Sequence, residues 1–345
     1  MGRAAASRRG IDFFWSASGF EANVKASELW ARLYSDYSVF EIWISVWVNG
    51  VQTARLMLNK GMNDICLFRN LDARKKKNVR VYKETQAMGD DSRHRFFLKS
   101  FLTDGEFLDA PPQPLKIEFI GDSITSGEGA VGAKSETDWT SIFFGATKTY
   151  AFKLAQKLGA DFSVISQSGW GVVCGYDCNF DHAIPKHYEE ICSVMKGGSK
   201  KIFAKPASES ARLAKQKWDF SNFQPDYVIV NLGTNDQNPC ETRADILKMF
   251  EPAVIDFLKK IRARNPKAQI VWCYGMMGRS LSANLERAVN DYKKQSGDER
   301  VRFVLLPQID VKNAGAFNHP SEAQHKKTAD FLMKEFEQSL QARRS

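Results

Sequence analysis

Two hydrophobic rhythms divide the chain. Over the first hundred or so residues, short runs rich in β-branched and aromatic residues follow one another at close spacing. Phe40-Glu41-Ile42-Trp43-Ile44-Ser45-Val46-Trp47-Val48 is the longest, and Asn49-Gly50 after it is a type I′ hairpin signal leading into Val51 to Leu58. Ile65 to Phe68, Val79 to Tyr82 and Phe96 to Phe101 predict further strands, with no helical period between them. Such a series predicts a β-sandwich. Trp43 and Trp47 share strand parity with Val39 and Ser45, so core packing is expected of Trp15, Trp30, Trp43 and Trp47 rather than a sugar-binding stripe.

Asp109-Ala110-Pro111-Pro112-Gln113-Pro114 interrupts this rhythm, because successive prolines remove donors and bias their predecessors toward extended geometry. The expected division is a β-sandwich over 1–110 and a second domain over 111–345. Beyond the break, strands alternate with amphipathic helices. Ile117 to Ile120, Phe162 to Ile165, Tyr227 to Leu232, Ile270 to Tyr274 and Val301 to Leu306 read as buried strands. Between them, Ala151, Leu154, Ala155 and Leu158 share one helix face; Phe250, Val254, Phe257, Leu258 and Ile261 another; Leu281, Leu285, Ala288, Val289 and Tyr292 a third. A last helix starts near Ser321, with Gln324 placed for a capping box. This predicts a three-layer α/β/α domain with a parallel sheet, whose site lies at the carboxyl ends of the strands. Tyr176 to Gln224 has no clear period and reads as an excursion over the surface or the site.

Composition narrows the function classes. Hydrophobic residues make up 43% and charged residues 26%, and no stretch approaches the roughly 18 apolar residues of a membrane span. The formal charge is +9, but Lys and Arg are scattered, and the densest run, Arg74 to Lys77, reads as a solvated loop, so neither nucleic acid nor membrane is expected as a partner. Met1 to Gly10 carries Arg3, Arg8 and Arg9 with no apolar segment behind them; the expectation is a cytoplasmic protein as the chain stands, or a secreted one if a leader was removed. The six cysteines are spread widely, which predicts buried free thiols and leaves a Cys174–Cys178 bridge open. There is no metal motif, His182 and His187 having weak spacing for ligands, and no Gly-rich phosphate loop; no cofactor is expected.

The candidate chemistry falls at three strand ends. Glu118-Phe119-Ile120-Gly121-Asp122-Ser123 runs an apolar strand into a Gly-flanked serine, the position of a nucleophile. After the second strand, Ser168-Gly169-Trp170 offers a backbone N–H unobstructed by a side chain; after the third, Gly233-Thr234-Asn235-Asp236 offers an amide. With the N–H of Ser123 these make three donors for an oxyanion. A base is needed, and of five histidines His319, in the loop before the last helix, is the best placed. His94 lies in the β-region, His182 and His187 in the aperiodic excursion, and His325 within the last helix, where a solvated face is expected. Trp170, Asp236 and Asn318 are candidate substrate contacts, Trp170 reading equally as a residue packed under a loop.

Gly121-Asp122-Ser123-Ile124, Gly169, Gly233-Thr234-Asn235-Asp236 and His319-Pro320 resemble, in order, the four blocks of the GDSL/SGNH hydrolases. Trp218-Asp219-Phe220 and Pro225-Asp226 narrow the likeness to carbohydrate esterase family 2. The resemblance implies a jelly-roll-like sandwich joined to an SGNH domain, and a serine esterase that removes acetyl groups from xylan, glucomannan or a related acetylated carbohydrate. It leaves open an esterase or lipase on other acyl esters, or a carbohydrate-binding protein with a weakened site. One departure stands out. The aspartate that such enzymes carry two or three residues before the histidine is replaced here by Phe317 and Ala316. Three readings follow: a backbone carbonyl orients His319, Asp310 reaches in, or activity is impaired.

Overall fold

The computed structural model describes residues 1–196 and 209–341, and these form two compact units. The first takes in Met1–Pro112 together with residues 140–147 and the described parts of 189–218; the second takes in the rest.

In the first unit, alternation of apolar and polar residues builds two five-stranded antiparallel sheets. One contains β1 (Ala4–Ser7), β2 (Gly10–Phe13), β4 (Leu29–Asp36), β7 (Gly61–Phe68) and β9 (Arg95–Thr103), in the order β1-β2-β9-β4-β7. The other contains β3 (Gly19–Lys25), β5 (Trp43–Val48), β6 (Val51–Met57), β8 (Lys76–Lys83) and β10 (Glu106–Leu108), in the order β10-β3-β8-β5-β6. Leu29, Ala31 and Leu33 of the first sheet share one buried cluster with Val24, Ile44, Val46, Val79 and Val81 of the second, which is the core of a sandwich. Each valine, leucine and isoleucine among them contributes about 1.5–3 kcal/mol by leaving water. The Asn49-Gly50 turn joins β5 to β6, with Val48 paired to Val51.

Three expectations for this unit need correction or division. Ile44 and Val46, not Trp43 and Trp47, carry the core face of β5; the tryptophans are half-buried on the opposite face, where Arg55 covers Trp43 at 4.3 Å. Trp30 is half-buried, whereas Trp15 is fully enclosed and donates from Nε1 to the Ile191 carbonyl at 2.6 Å. Lys77 is no solvated loop residue: it lies in β8, buried, and its ammonium donates to the carbonyls of Ala26 and Asp72. Backbone oxygens thus receive the charge that the loop reading had assigned to water.

The second unit is built on a parallel sheet of β11 (Lys116–Gly121), β12 (Asp161–Ser166), β13 (Tyr227–Asn231), β14 (Gln269–Tyr274) and β15 (Val301–Leu305). Its order is β12-β11-β13-β14-β15. β11 and β13 are buried at almost every position, as strands covered on both faces must be. The helices are α1 (Ser123–Ser126), α2 (Tyr150–Leu158), α4 (Gln237–Thr242), α5 (Ala244–Arg264), α6 (Ser282–Ser296) and α7 (Glu322–Gln341), while α3 (Glu209–Ala214) belongs to the first unit. α2 packs with α7, and α5 with α6.

The predicted capping box at the start of α7 does not form. Gln324 is buried and donates to the Pro307 carbonyl, while the Ser321 amide donates to Asn313. His325 is likewise not solvated: it is fully buried, its Nδ1 accepts from the Tyr150 amide at 3.2 Å, and burial lowers its pKa to about 3. The aperiodic stretch from Tyr176 to Gln224 is divided, 176–188 and 219–224 going with the second unit and 189–196 with 209–218 going with the first; 197–208 lie outside the described residues. All six cysteines are free, and four of them are buried. No helix among the described residues is long and apolar enough to cross a membrane.

Candidate active site

The first three blocks lie at one edge of the parallel sheet because β11 is central to them. Gly121 pairs with Ser166 at the end of β12 and with Asn231 at the end of β13, so Ser123, Gly169 and Asn235 follow the carboxyl ends of three adjacent strands. Ser123 opens the single turn α1, whose amide end is capped by Asp122 through a bond from the Ile124 N–H at 3.0 Å.

His319 comes to the same serine from 196 residues away in sequence, its Nε2 lying 2.9 Å from the Ser123 Oγ. Its loop is shaped by two consecutive left-handed residues, Phe317 at φ 53° and Asn318 at φ 55°. The turn closes with the His319 amide on the Ala316 carbonyl at 3.0 Å, and it presents the Phe317 carbonyl to the imidazole Nδ1 at 2.9 Å. A carbonyl only accepts, so Nδ1 carries the proton and Nε2 is left as the acceptor for the Ser123 hydroxyl. Gly129 lets this loop approach. Its φ is +70°, and a Cβ there would stand 2.2 Å from the Ala316 oxygen and 2.7 Å from the His319 Cβ.

Of the three readings for the absent aspartate, the geometry presents the backbone one. Asp310 is exposed and its carboxylate accepts from the Lys312 amide at 3.1 Å, which leaves it serving its own turn rather than His319. A second group stands near the imidazole that sequence reasoning did not single out: Glu128, buried, with Oε1 3.7 Å from Nδ1. Its only sequence signal is its place in Gly127-Glu128-Gly129, five residues beyond the serine.

Two of the proposed oxyanion donors, Gly169 and Asn235, sit on loops that are tied together twice. Asn235 spends one Nδ2 hydrogen on the Trp170 carbonyl at 2.9 Å, leaving its other hydrogen for a ligand. Asp236, a candidate substrate contact from the sequence, turns to the backbone of the neighbouring loop. It is fully enclosed, and its carboxylate accepts from the amides of Val172 at 2.8 Å and Val173 at 2.9 Å. Burial pushes its pKa up to about 6 despite those bonds. Asp122 is pushed up to about 7, first by burial and then by Asp236 and Glu128, against the Ile124 bond that lowers it. Trp170 is half-buried, stacked on His182 at 5.2 Å and tilted against His187 at 4.6 Å, the packing arrangement among its two readings. Asn318 is exposed beside His319, and the exposed Tyr176 ring lies over Gly169. This constellation can deprotonate a hydroxyl, attack a carbonyl carbon and stabilise charge on its oxygen.

Known proteins share this architecture. The chain is 38% identical to an acetyl xylan esterase (Est2A) from the rumen bacterium Butyrivibrio proteoclasticus, with a TM-score of 0.92 over 99% of this chain and 94% of that one. A family two carbohydrate esterase from Clostridium thermocellum, solved in complex with cellohexaose, is 28% identical with a TM-score of 0.81, covering 98% of each chain. The cellulase/esterase CelE of Acetivibrio thermocellus is 30% identical over 94% of this chain, which spans 37% of that relative's length. The GDSL-like Lipase/Acylhydrolase family matches residues 119–327, and the Carbohydrate esterase 2 N-terminal domain matches residues 1–112. The chain therefore belongs to the GDSL-like lipase/acylhydrolase family and carries the N-terminal domain of carbohydrate esterase family 2.

Proposed function

We propose that this protein is a serine esterase that removes O-acetyl groups from a carbohydrate such as xylan or glucomannan. The observation that carries the reading is the Ser123–His319 pair at 2.9 Å, with the imidazole tautomer set by the Phe317 carbonyl. His319 Nε2 takes the hydroxyl proton as Ser123 Oγ attacks the acetyl carbonyl carbon. The amides of Ser123 and Gly169 and the side chain of Asn235 receive the developing oxyanion, each donor being worth about a hundred- to a thousand-fold in rate. The sugar oxygen leaves with the proton from His319, and water, deprotonated by the same imidazole, releases acetate from the acyl-enzyme. Similar proteins support the substrate class: an acetyl xylan esterase and a carbohydrate esterase in complex with cellohexaose.

Acetate release from a chromogenic acetyl ester by wild type and by Ser123→Ala tests the reading. The expected loss is at least about ten-thousand-fold; equal rates would defeat it. Comparing acetyl with octanoyl esters, then acetylated xylan with acetylated glucomannan, assigns the acyl group and the sugar.

A further inference from the structure

The Phe317 carbonyl can orient an imidazole, but it is a neutral dipole, and the imidazolium that forms when His319 accepts a proton carries a full charge. That charge arises on a residue only 9% exposed, where water does little to stabilise it. Glu128 is the carboxylate within ionic reach, at 3.7 Å from Nδ1 with a side chain 6% exposed. No other ion pair or hydrogen bond engages that carboxylate among the described residues. Its backbone is fixed to both partners. The Glu128 amide donates to the Ser123 carbonyl at 3.1 Å, and the next residue, Gly129, accepts from the Ala316 amide of the histidine loop at 3.1 Å. The other titratable groups here do not answer the charge: His325 of α7 is kept neutral by burial, and Asp122, which adjoins Glu128, is turned to the Ile124 amide.

We propose that Glu128 is the positioning residue of His319, a carboxylate that stabilises the imidazolium and holds Nδ1 toward the Phe317 carbonyl. The work of one aspartate is divided here, direction coming from a main-chain oxygen and charge from a side chain on another loop. As the bond from Ser123 Oγ to the carbonyl carbon forms, the carbonyl electron pair moves to oxygen and the hydroxyl proton passes to Nε2. Glu128 takes no proton, and the proton leaves later on the sugar oxygen. The inference rests on the Ser123–His319 reading.

Steady-state kinetics of Glu128→Gln and Glu128→Asp with the chromogenic acetyl ester, from about pH 5 to 9, test it, with Ser123→Ala as reference and thermal unfolding measured for each. Glu128→Gln is expected to lower kcat by about 10- to 100-fold at nearly unchanged KM, an effect smaller than loss of a full triad aspartate. Removing the negative neighbour destabilises the imidazolium relative to the neutral ring, so the acidic limb of kcat/KM moves down by about one pH unit. Glu128→Asp restores part of both. The proposal is overturned if Glu128→Gln keeps wild-type kcat and the wild-type limb, or if kcat falls while the limb stays in place, since a merely structural role predicts the latter. An inactive Ser123→Ala beside an unaffected Glu128→Gln removes only the Glu128 assignment; a fully active Ser123→Ala removes the underlying site.

Discussion

Asp91 in the sandwich and Asp236 in the parallel-sheet unit use one device and are shifted in opposite directions. Asp91 collects the amides of Ser38, Val39, Phe40 and Arg93, and although burial opposes them these bonds hold its carboxyl below the ordinary carboxylate range. Asp236 collects the amides of Val172 and Val173 in complete enclosure, and burial prevails. The contrast extends to their neighbours. In the sandwich, Lys77 and Lys83 direct their ammonium groups to backbone carbonyls, those of Thr85 and Gln86 in the case of Lys83. Beside Ser123, the carboxylates act on one another, Asp236 and Glu128 both raising Asp122. Buried charge alone therefore does not mark a reactive region, and neither does mutual perturbation, since buried Lys83 lowers His94 in the sandwich.

The sharpest way to break this comparison is Asp236→Ala. Two loop amides lose their acceptor, at a cost of about 2–4 kcal/mol in stability. Because Gly169 and Asn235 ride on the same two loops, kcat is expected to fall about 100-fold. Denaturant unfolding and acetate release measure the two effects, and a variant with wild-type kcat would show that the carboxylate belongs with Asp91 as scaffold.

A second test uses pH. Asp122 is raised to about 7, so its contribution is fully present below the unfolded carboxyl pKa and is lost as pH rises from about 4 through 7. Lys83 is lowered to about 7 by burial, so its contribution is present above the unfolded ammonium pKa and is lost as pH falls from about 10 through 7. The stability of Asp122→Asn relative to wild type should thus climb with rising pH across the lower window. That of Lys83→Met should climb with falling pH across the upper one. Each change amounts to about 2–4 kcal/mol, read by thermal unfolding; slopes of the same sign would undo the contrast.

The smallest effect is expected of Phe317→Gly. Relief of a left-handed side-chain residue stabilises by about 1 kcal/mol, and kcat should stay within about threefold because the carbonyl remains. A drop of about tenfold or more would transfer the orienting role to the Phe317 ring, whose centroid lies 6.1 Å from that of His319.

Strand periodicity made the antiparallel sheets and the parallel sheet legible, since a run such as Ile117 to Ile120 has to be buried on either face. The pairing of Ser123 with His319 rested on the resemblance in block order, and the two stand 2.9 Å apart. Alternation alone could not tell which parity of β5 faces inward: Trp43 and Ile44 are both apolar, and the sheet on the far side decides. His325 misled because a polar ring on an amphipathic helix is usually outside, whereas here the Tyr150 amide gives it a buried donor. The partners of Nδ1 were the least legible part. A main-chain oxygen has no residue type to betray it, and Glu128 becomes visible only when Gly129 admits the histidine loop to its side.

Lodging the orienting atom of His319 in the main chain frees a position that a side-chain carboxylate would freeze. Phe317 is 43% exposed beside the candidate catalytic pair, and any residue that tolerates its turn supplies the same oxygen. On the proposed mechanism, position 317 is open to variation while the oxygen that meets Nδ1 stays in place. A single site can be retuned for new leaving groups one substitution at a time.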